Sequence, residues 1–212
     1  MNIALVGATG KIGRQIARTA LDRGHSVTAV VRSDANLPPE LDGARIVIAA
    51  LDDHDALTAA VRGHDVLASA YGPASPETAS TLSTVATQLI AAARAAGIRR
   101  LVVVGGAGSL EIAPGLQLVD APDFPAAYKS FALAARDALG IYRSAEDLDW
   151  TFYAPAAEIG PGEARGHFRT AAKTFLSDAQ GHSQIHYPDY AAAFVDEIER
   201  PQYVREIATA AY

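Results

Sequence analysis

The sequence predicts an α/β fold, a doubly wound parallel sheet with helices on both faces, and three observations carry that prediction. Short apolar runs and helix-patterned runs largely alternate from residue 2 to residue 155. The first apolar run is short, continuous and ends at a glycine, as a strand covered on both faces would. Three glycines at three-residue spacing, Gly7, Gly10 and Gly13, follow it at once. Strands that alternate with helices form parallel βαβ units. Right-handed crossovers wind such units into one sheet.

Residues 2–6 (NIALV) are the first expected strand. A helix over 11–23 places Ile12, Ile16, Ala17 and Leu21 on helical spacing, and Gly24 stops it. HSVTAVVR (25–32) and ARIVIAA (44–50) read as the second and third strands. HDALTAAVRG (54–63) is a short helix and DVLASAY (65–71) the fourth strand. A long helix over 76–96 has Leu82, Val85, Leu89 and Ala93 on one face and Gly97 at its end. RRLVVVGG (99–106) is the fifth strand, 125–147 a further helix, and DWTFYAP (149–155) the sixth strand. After Pro155 the alternation fades. EIGPGEARGHFRT (158–170) reads as a glycine- and charge-rich loop with a short strand, YPDYAAAFVDEIER (187–200) as a helix, and EIATAAY (206–212) as a closing strand. No linker, repeat or low-complexity tract divides the chain. Residues 1–212 are therefore expected to form a single domain, with a small C-terminal region that covers the substrate.

Composition narrows the function. The formal net charge is −6, which argues against nucleic acid as the main partner, because phosphate binding shows as a basic excess. No apolar run reaches the roughly 18 residues of a membrane span, and the N-terminus enters a strand pattern without a basic, cleavable leader. Cysteine is absent, so disulfides and thiolate zinc sites are excluded. These features lead us to expect a cytoplasmic protein, monomer or homodimer, acting on a small molecule. His182 and His186 are four apart, but SQI between them and the nearby glycine and proline suggest an extended segment, so no metal site is expected. His25, His54, His64 and His167 suggest no chemistry.

A strand that turns directly into a helix leaves free N–H groups at the helix start. With the helix dipole they form an anion site. Gly7 permits the tight turn, Gly10 removes the Cβ that would hold a pyrophosphate away, and Gly13 lets the helix pack close. Thr9, Lys11 and Ile12 complete the turn as cofactor-binding candidates. The spacing is G-x-x-G-x-x-G rather than G-x-G-x-x-G, and the alternative is a tight turn kept for packing alone. Cofactor choice is read about 20 residues on, at the tip of the second strand. Arg32 stands there, and a guanidinium suits a 2′-phosphate by charge and forked geometry. Lys11 and Arg14 could add charge. A solvated strand-end residue is the plain alternative for Arg32, and Asp34 keeps NAD open beside NADP. Asp52 stands where a carboxylate would accept a bond from an adenine amino group. Asp52 and Asp53 read equally as a helix N-cap pair.

VGATGKIGRQIARTALDRGHSVTAVVR resembles the N-terminal fingerprint of atypical short-chain dehydrogenases. VVVGGAGSL, DAPDFP, DWTFYAPAAEIGPG and PDYAAAFVDEIERP resemble the subgroup of NADH-flavin reductases, which is related to biliverdin reductase B and to the NmrA-like redox sensors. The resemblance covers essentially the whole chain. It implies a Rossmann-type fold, NADP as cofactor and a flavin or quinone-like acceptor as substrate. The NmrA-like relation implies the alternative, a non-catalytic sensor that signals through a partner. One departure stands out. The superfamily uses Tyr-x-x-x-Lys, in which lysine lowers the tyrosine pKa. Here Lys129 follows Tyr128 at once, and Ala132 holds the lysine position; Tyr142 is followed four residues later by Glu146. Neighbours at i and i+1 do not share a helix face. Hydride transfer to a flavin needs less, since the acceptor ring is already electrophilic and stacking supplies most of the rest.

Ligands of open α/β sheets bind beyond the carboxyl ends of the strands. Tyr71 and Gly72, after the fourth strand, are candidates to lie along the nicotinamide ribose and to let the backbone approach. Ser109, after the fifth, resembles the catalytic serine position and is expected to face the same crevice; a turn serine bonding its own backbone is the alternative. After the sixth strand, Pro155 would set the turn and Ala156 and Ala157 would offer N–H groups to the carboxamide. In the relatives this loop closes on the nicotinamide. Biliverdin reductase B-like proteins carry a histidine here, and this chain has Glu158 nearby instead. Leu110–Pro125 is long, apolar and proline-interrupted, which suits a substrate-covering loop. Phe124 and Phe168 read as apolar walls for a flat acceptor or as ordinary packing.

Overall fold

Twelve strands and five helices make up the computed structural model, which describes residues 1–212. In chain order they are β1 (Asn2–Val6), α1 (Lys11–Asp22), β2 (Ser26–Val31), β3 (Arg45–Ile48), α2 (His54–Val61), β4 (Val66–Ser69), α3 (Thr81–Ala96) and β5 (Arg100–Val104). The hairpin strands β6 (Glu111–Ala113) and β7 (Leu116–Gln117) follow, then α4 (Ala126–Arg143), β8 (Asp149–Ala154), β9 (Glu158–Gly160) and β10 (Arg169–Ala172). β11 (Gln184–His186), α5 (Tyr187–Glu199) and β12 (Glu206–Ala211) close the chain.

The main sheet runs β10-β12-β8-β5-β4-β1-β2-β3. All its pairings are parallel except that of β10 with β12. Strand order reverses between β1 and β4, which is the topological switch point of a Rossmann-type sheet. β1 and β4 are buried on both faces and carry Ile3, Ala4, Leu5, Val6, Val66, Leu67 and Ala68 at 2% exposure or less. This explains why their sequences are continuous apolar runs. The core on one face joins the sheet to α2, α3 and α4 through Leu57, Leu89 and Leu139. The other joins it to α1 and α5 through Ile16, Tyr190 and Phe194. No helix is long and apolar enough to cross a membrane.

The expected elements are all present, with three local differences. Residues 76–78 form a separate 3-10 turn, closed by a Ser75–Thr78 capping box, before α3 begins. α4 stops at Arg143 rather than at 147. The expected loop over 110–125 contains the β6–β7 hairpin, turned at Gly115 with φ +76°, and a 3-10 turn over Leu118–Asp120. Beyond β8, β9 and β11 pair in parallel as a small second sheet.

α5 carries two buried carboxylates, Asp189 and Glu197. Glu197 lies at the amino-terminal end of the sheet, where its Oε1 is 2.7 Å from Arg100 Nη2 and accepts the Thr151 hydroxyl. It also accepts the N–H groups of Gln202 and Tyr203. Burial pushes the Arg100 guanidinium below its ordinary pKa even with Glu197 beside it. A buried pair adds little net stability but is costly to break, because the surviving charge has no partner. Glu197→Ala should therefore lower stability by about 3–5 kcal/mol in urea unfolding. A loss below about 1 kcal/mol would show that water compensates Arg100.

Candidate functional site

The carboxyl ends of β1 and β4 lie side by side, with Val6 opposite Ser69. The three glycines leave β1 here, and each meets a different constraint. Gly7 has φ +75°, and a Cβ on it would lie 2.6 Å from the Ala70 carbonyl carbon. A Cβ on Gly13 would lie 2.1 Å from the Gly7 carbonyl oxygen. Gly10 differs. Its backbone is extended, with φ −72° and ψ 166°, and its nearest obstacle to a Cβ is the Gly7 oxygen at 3.4 Å, an ordinary contact. Nothing in the protein requires glycine at 10, yet the position is exposed at the mouth of the turn. The N–H groups of Lys11, Ile12 and Gly13 take no acceptor within the chain, and α1 has neither a side-chain cap nor an acidic residue in its first turn. Thr9 is exposed beside them. The turn thus presents unpaired donors and a positive dipole end to the crevice.

The charges around the turn sort themselves by partner. Arg32, just past β2, is exposed and forms no ion pair, and Lys11 is the same. Arg14 is not free, since its Nε is 3.5 Å from Glu40 Oε1. Asp53 caps α2 by accepting the Ala56 N–H at 2.9 Å. Asp52 is exposed and makes no hydrogen bond, so the expected cap pair is one residue only.

Tyr71 is half-buried, and its hydroxyl is 2.9 Å from Thr81 Oγ1 at the start of α3. Gly72 is exposed, with nothing within 4 Å of where its Cβ would be. After β8, Pro155 and Ala156 are buried. The Ala156 N–H takes no acceptor, whereas that of Ala157 donates to Ser183 Oγ at 3.2 Å. Of the two expected carboxamide donors, Ala157 is therefore already spent on the fold. Glu158 Oε2 accepts the Gln184 side-chain amide.

Ser109 departs from expectation. It is 2% exposed rather than open to the crevice, and its hydroxyl has no partner, so it does not bond its own backbone either. The reason is α4, which sits directly on the β5 turn. A Cβ on Gly106 would lie 2.9 Å from that of Ala135, and one on Gly108 2.7 Å from that of Ala132. The same contact explains the missing Tyr-x-x-x-Lys, because Ala132 is buried against Gly108 and leaves no room for a lysine. Lys129 donates instead to the Val119 carbonyl, with its Nζ 5.5 Å from the centre of the Phe124 ring. Tyr128 is 64% exposed in the first turn of α4, and its hydroxyl forms no hydrogen bond. Burial drives the Tyr142 hydroxyl far above its ordinary pKa, so it is no acid.

A family model described as NAD(P)H-binding matches residues 7–201. The chain belongs to this NAD(P)H-binding family. The resemblance read from the sequence, to NAD(P)-binding proteins like the short-chain dehydrogenases, holds. YwnB of Bacillus subtilis, a protein without assigned activity, is 34% identical over 209 residues, 97% of this chain and 96% of its own. A Burkholderia pseudomallei structure named "putative exported protein" is 51% identical with TM-score 0.92, covering 100% of both chains. A Streptococcus pneumoniae structure named "a putative NADH-flavin reductase" is 34% identical with TM-score 0.90, covering 100% of this chain and 99% of that one.

In this NAD(P)H-binding protein the region beyond β8 is held by a residue the sequence did not single out. Asp189, 2% exposed at the start of α5, accepts the N–H groups of Arg165 at 2.7 Å and Gly166 at 3.0 Å and the Tyr212 hydroxyl at 2.6 Å. Burial raises its pKa, but these donors outweigh burial and hold the carboxyl below its ordinary value. Phe168 packs on the α1–α5 core, and Phe124 is half-buried near Lys129. No three His, Cys, Asp or Glu side chains converge as metal ligands. His25 pairs with Glu199, His64 bonds Thr28 Oγ1 and the Val61 carbonyl, and His186 bonds the Glu163 carbonyl. Two open depressions, of about 330 and 450 Å³, share Arg45, Arg62 and His64 at the amino ends of the strands, away from the crevice.

The three glycines should separate on substitution. Gly13→Ala must displace the Gly7 carbonyl and should cost about 1–3 kcal/mol or more. Gly10→Ala should stay within about 1 kcal/mol of the parent in chemical denaturation. Equal losses at both positions would mean that the turn relaxes and that Gly13 is not a packing constraint.

Proposed function

We propose that the protein is an NADP-dependent oxidoreductase that passes hydride to a flavin or another flat conjugated acceptor. The observation that carries the reading is the open glycine turn, with three unpaired N–H groups on α1 and two unpaired cations, Lys11 and Arg32, beside it. The name of the Streptococcus pneumoniae relative supports the flavin part of the reading. Gly7, Thr9, Gly10, Lys11, Ile12 and Gly13 receive the pyrophosphate, and Arg32 with Lys11 receives the 2′-phosphate. Asp52, the carboxylate beyond β3 that no cap employs, takes the adenine amino group. Tyr71 and Gly72 after β4, and the free N–H of Ala156 after Pro155, would hold the nicotinamide half of the dinucleotide.

When bound, the nicotinamide supplies the hydride. The chain's part is to orient a flat acceptor and to exclude water. Tyr128 lacks the lysine that would tune it, so the acceptor takes its proton from solvent. Ser109 is the candidate to bond the acceptor. Its buried hydroxyl is unpaired, as a group awaiting a ligand would be, and the turn over Ala107–Ser109 must give way for contact. That enclosure also favours a second reading, a non-catalytic NADP-binding redox sensor. NADPH oxidation with free flavin separates the two: saturable turnover supports the reductase, and its absence with tight NADPH binding supports the sensor.

Calorimetric titration tests the cofactor site. Gly10→Val should fold and bind NADPH more weakly, since its side chain enters the mouth of the turn. Wild type should prefer NADPH to NADH by about 1.5–3 kcal/mol, the worth of a bond to a charged group, and Arg32→Glu should erase that preference. Equal binding of both cofactors by the wild type would make Arg32 a surface residue and return attention to Asp34.

Ser109→Ala is informative in two ways. It removes a buried hydroxyl that bonds nothing, so it should leave stability unchanged or raise it by up to about 1–3 kcal/mol. If Ser109 orients the acceptor, turnover should still fall roughly tenfold, which is about 1.4 kcal/mol. Tyr128→Phe should stay within a few-fold, where loss of a general acid would cost roughly 10²–10⁴-fold. Full activity in Ser109→Ala, or collapse in Tyr128→Phe, would reverse these assignments.

A further inference from the structure

Residues 161–167 are all exposed, belong to no strand or helix, and make no backbone–backbone hydrogen bond. Such a segment is ordinarily free to move. Here its polar ties converge on one point. Asp189 Oδ2 accepts the Arg165 N–H and the Tyr212 hydroxyl, and Oδ1 accepts the Gly166 N–H. The Arg165 guanidinium lies 3.8 Å from the centre of the Tyr212 ring. His186 donates its N–H to the Tyr212 oxygen at 3.0 Å, while its Nδ1 lies 2.8 Å from the Glu163 carbonyl.

A buried carboxylate is costly to keep unless it is hydrogen-bonded, and the donors that satisfy Asp189 tie together parts remote in sequence. What these bonds hold is the stretch from the end of β9 to Phe168. β9 follows β8 at the carboxyl edge of the sheet, beyond the strands that flank the crevice on its β4 side. We propose that Asp189, with Tyr212, is a positioning residue that latches segment 161–168 in place as the acceptor-side wall of the site. The inference rests on the oxidoreductase reading above, because that reading puts the acceptor on this side. Asp189 itself touches neither cofactor nor acceptor. It acts through the Arg165 and Gly166 amides and through the ring that Arg165 covers.

Three variants carry the test. In Asp189→Asn an amide nitrogen faces a donor, so at least one of the three bonds is lost. Tyr212→Phe keeps the ring and removes only the hydroxyl. Arg165→Ala removes the stacked guanidinium and leaves the backbone donor. Hydrogen exchange at residues 161–168, NADPH affinity, and FMN affinity by quenching of its fluorescence in the NADP⁺-saturated protein are measured for each. We expect exchange in the segment to rise, FMN binding to weaken roughly tenfold in Asp189→Asn and less in Tyr212→Phe, and NADPH affinity to stay within twofold. Unchanged exchange in Asp189→Asn overturns the latch. Faster exchange with unchanged FMN affinity, or parallel loss of NADPH binding in all three variants, overturns the wall and leaves Asp189 structural. Wild type that binds no FMN also overturns the wall. Wild type that binds FMN without turnover sinks the reductase reading alone, and the latch stands on exchange and affinity.

Discussion

The carbonyl oxygen of Gly7 lies 2.1 Å from where a side chain at position 13 would begin. Much of the crevice follows from that contact. It brings the first turn of α1 down onto the end of β1, so only four residues separate helix from strand and the N-cap, Gly10, has no side chain to cap it. The unpaired N–H groups of Lys11, Ile12 and Gly13 are the consequence, and an anion is the natural partner for them. Gly7 adds the second half of the constraint. Its own missing Cβ lets the β1 turn touch the backbone at Ala70, which closes the switch point between β1 and β4. Of the three, Gly10 alone is free of packing demands.

The same device recurs after β5 with the opposite chemical result. Gly106 and Gly108 let α4 rest on the turn through Ala135 and Ala132. At α1 the close approach exposes polar groups; at α4 it encloses one, the Ser109 hydroxyl. It also fills the place of a lysine with a buried methyl group. Tyr128, exposed in the first turn of α4, is then left without the lysine partner of the superfamily pattern.

Most of the sheet was legible in the sequence because its inner strands are covered on both faces, and a strand of that kind is a continuous apolar run. β1, β2, β4, β5, β8 and β12 fall where those runs lie. The glycine turn was legible because spacing alone encodes it. What escaped was set by tertiary contact. Ser109 reads as a crevice residue along the chain, and only the packing of α4 encloses it. Asp189 and Glu197 were not singled out, because a helix read over 187–200 does not tell which of its side chains are enclosed. α5 is buried nearly all round, between the sheet, α1 and the segment beyond β9, so its carboxylates point inward to donors remote in sequence. The β6–β7 hairpin pairs only two short strands, below what alternation can signal.

Charge distribution joins these parts. The chain carries a net −6, and most of its arginines face a carboxylate, such as Arg18 with Asp22, Arg23 with Asp196 and Arg94 with Asp147. Exposed pairs of this kind contribute little to stability. Their effect is on the field, because paired cations do not attract an anion over distance. Lys11 and Arg32 escape that neutralisation beside a helix start whose first three N–H groups are unpaired. On the proposed reading, an anionic dinucleotide would be repelled from most of this acidic surface and drawn to the glycine turn, and such focusing raises association rates and weakens with salt. The far depression of Arg45 and Arg62 lies at the amino ends of the strands, with no helix start behind it to reinforce its charge. At Gly10 charge, helix dipole and steric openness coincide.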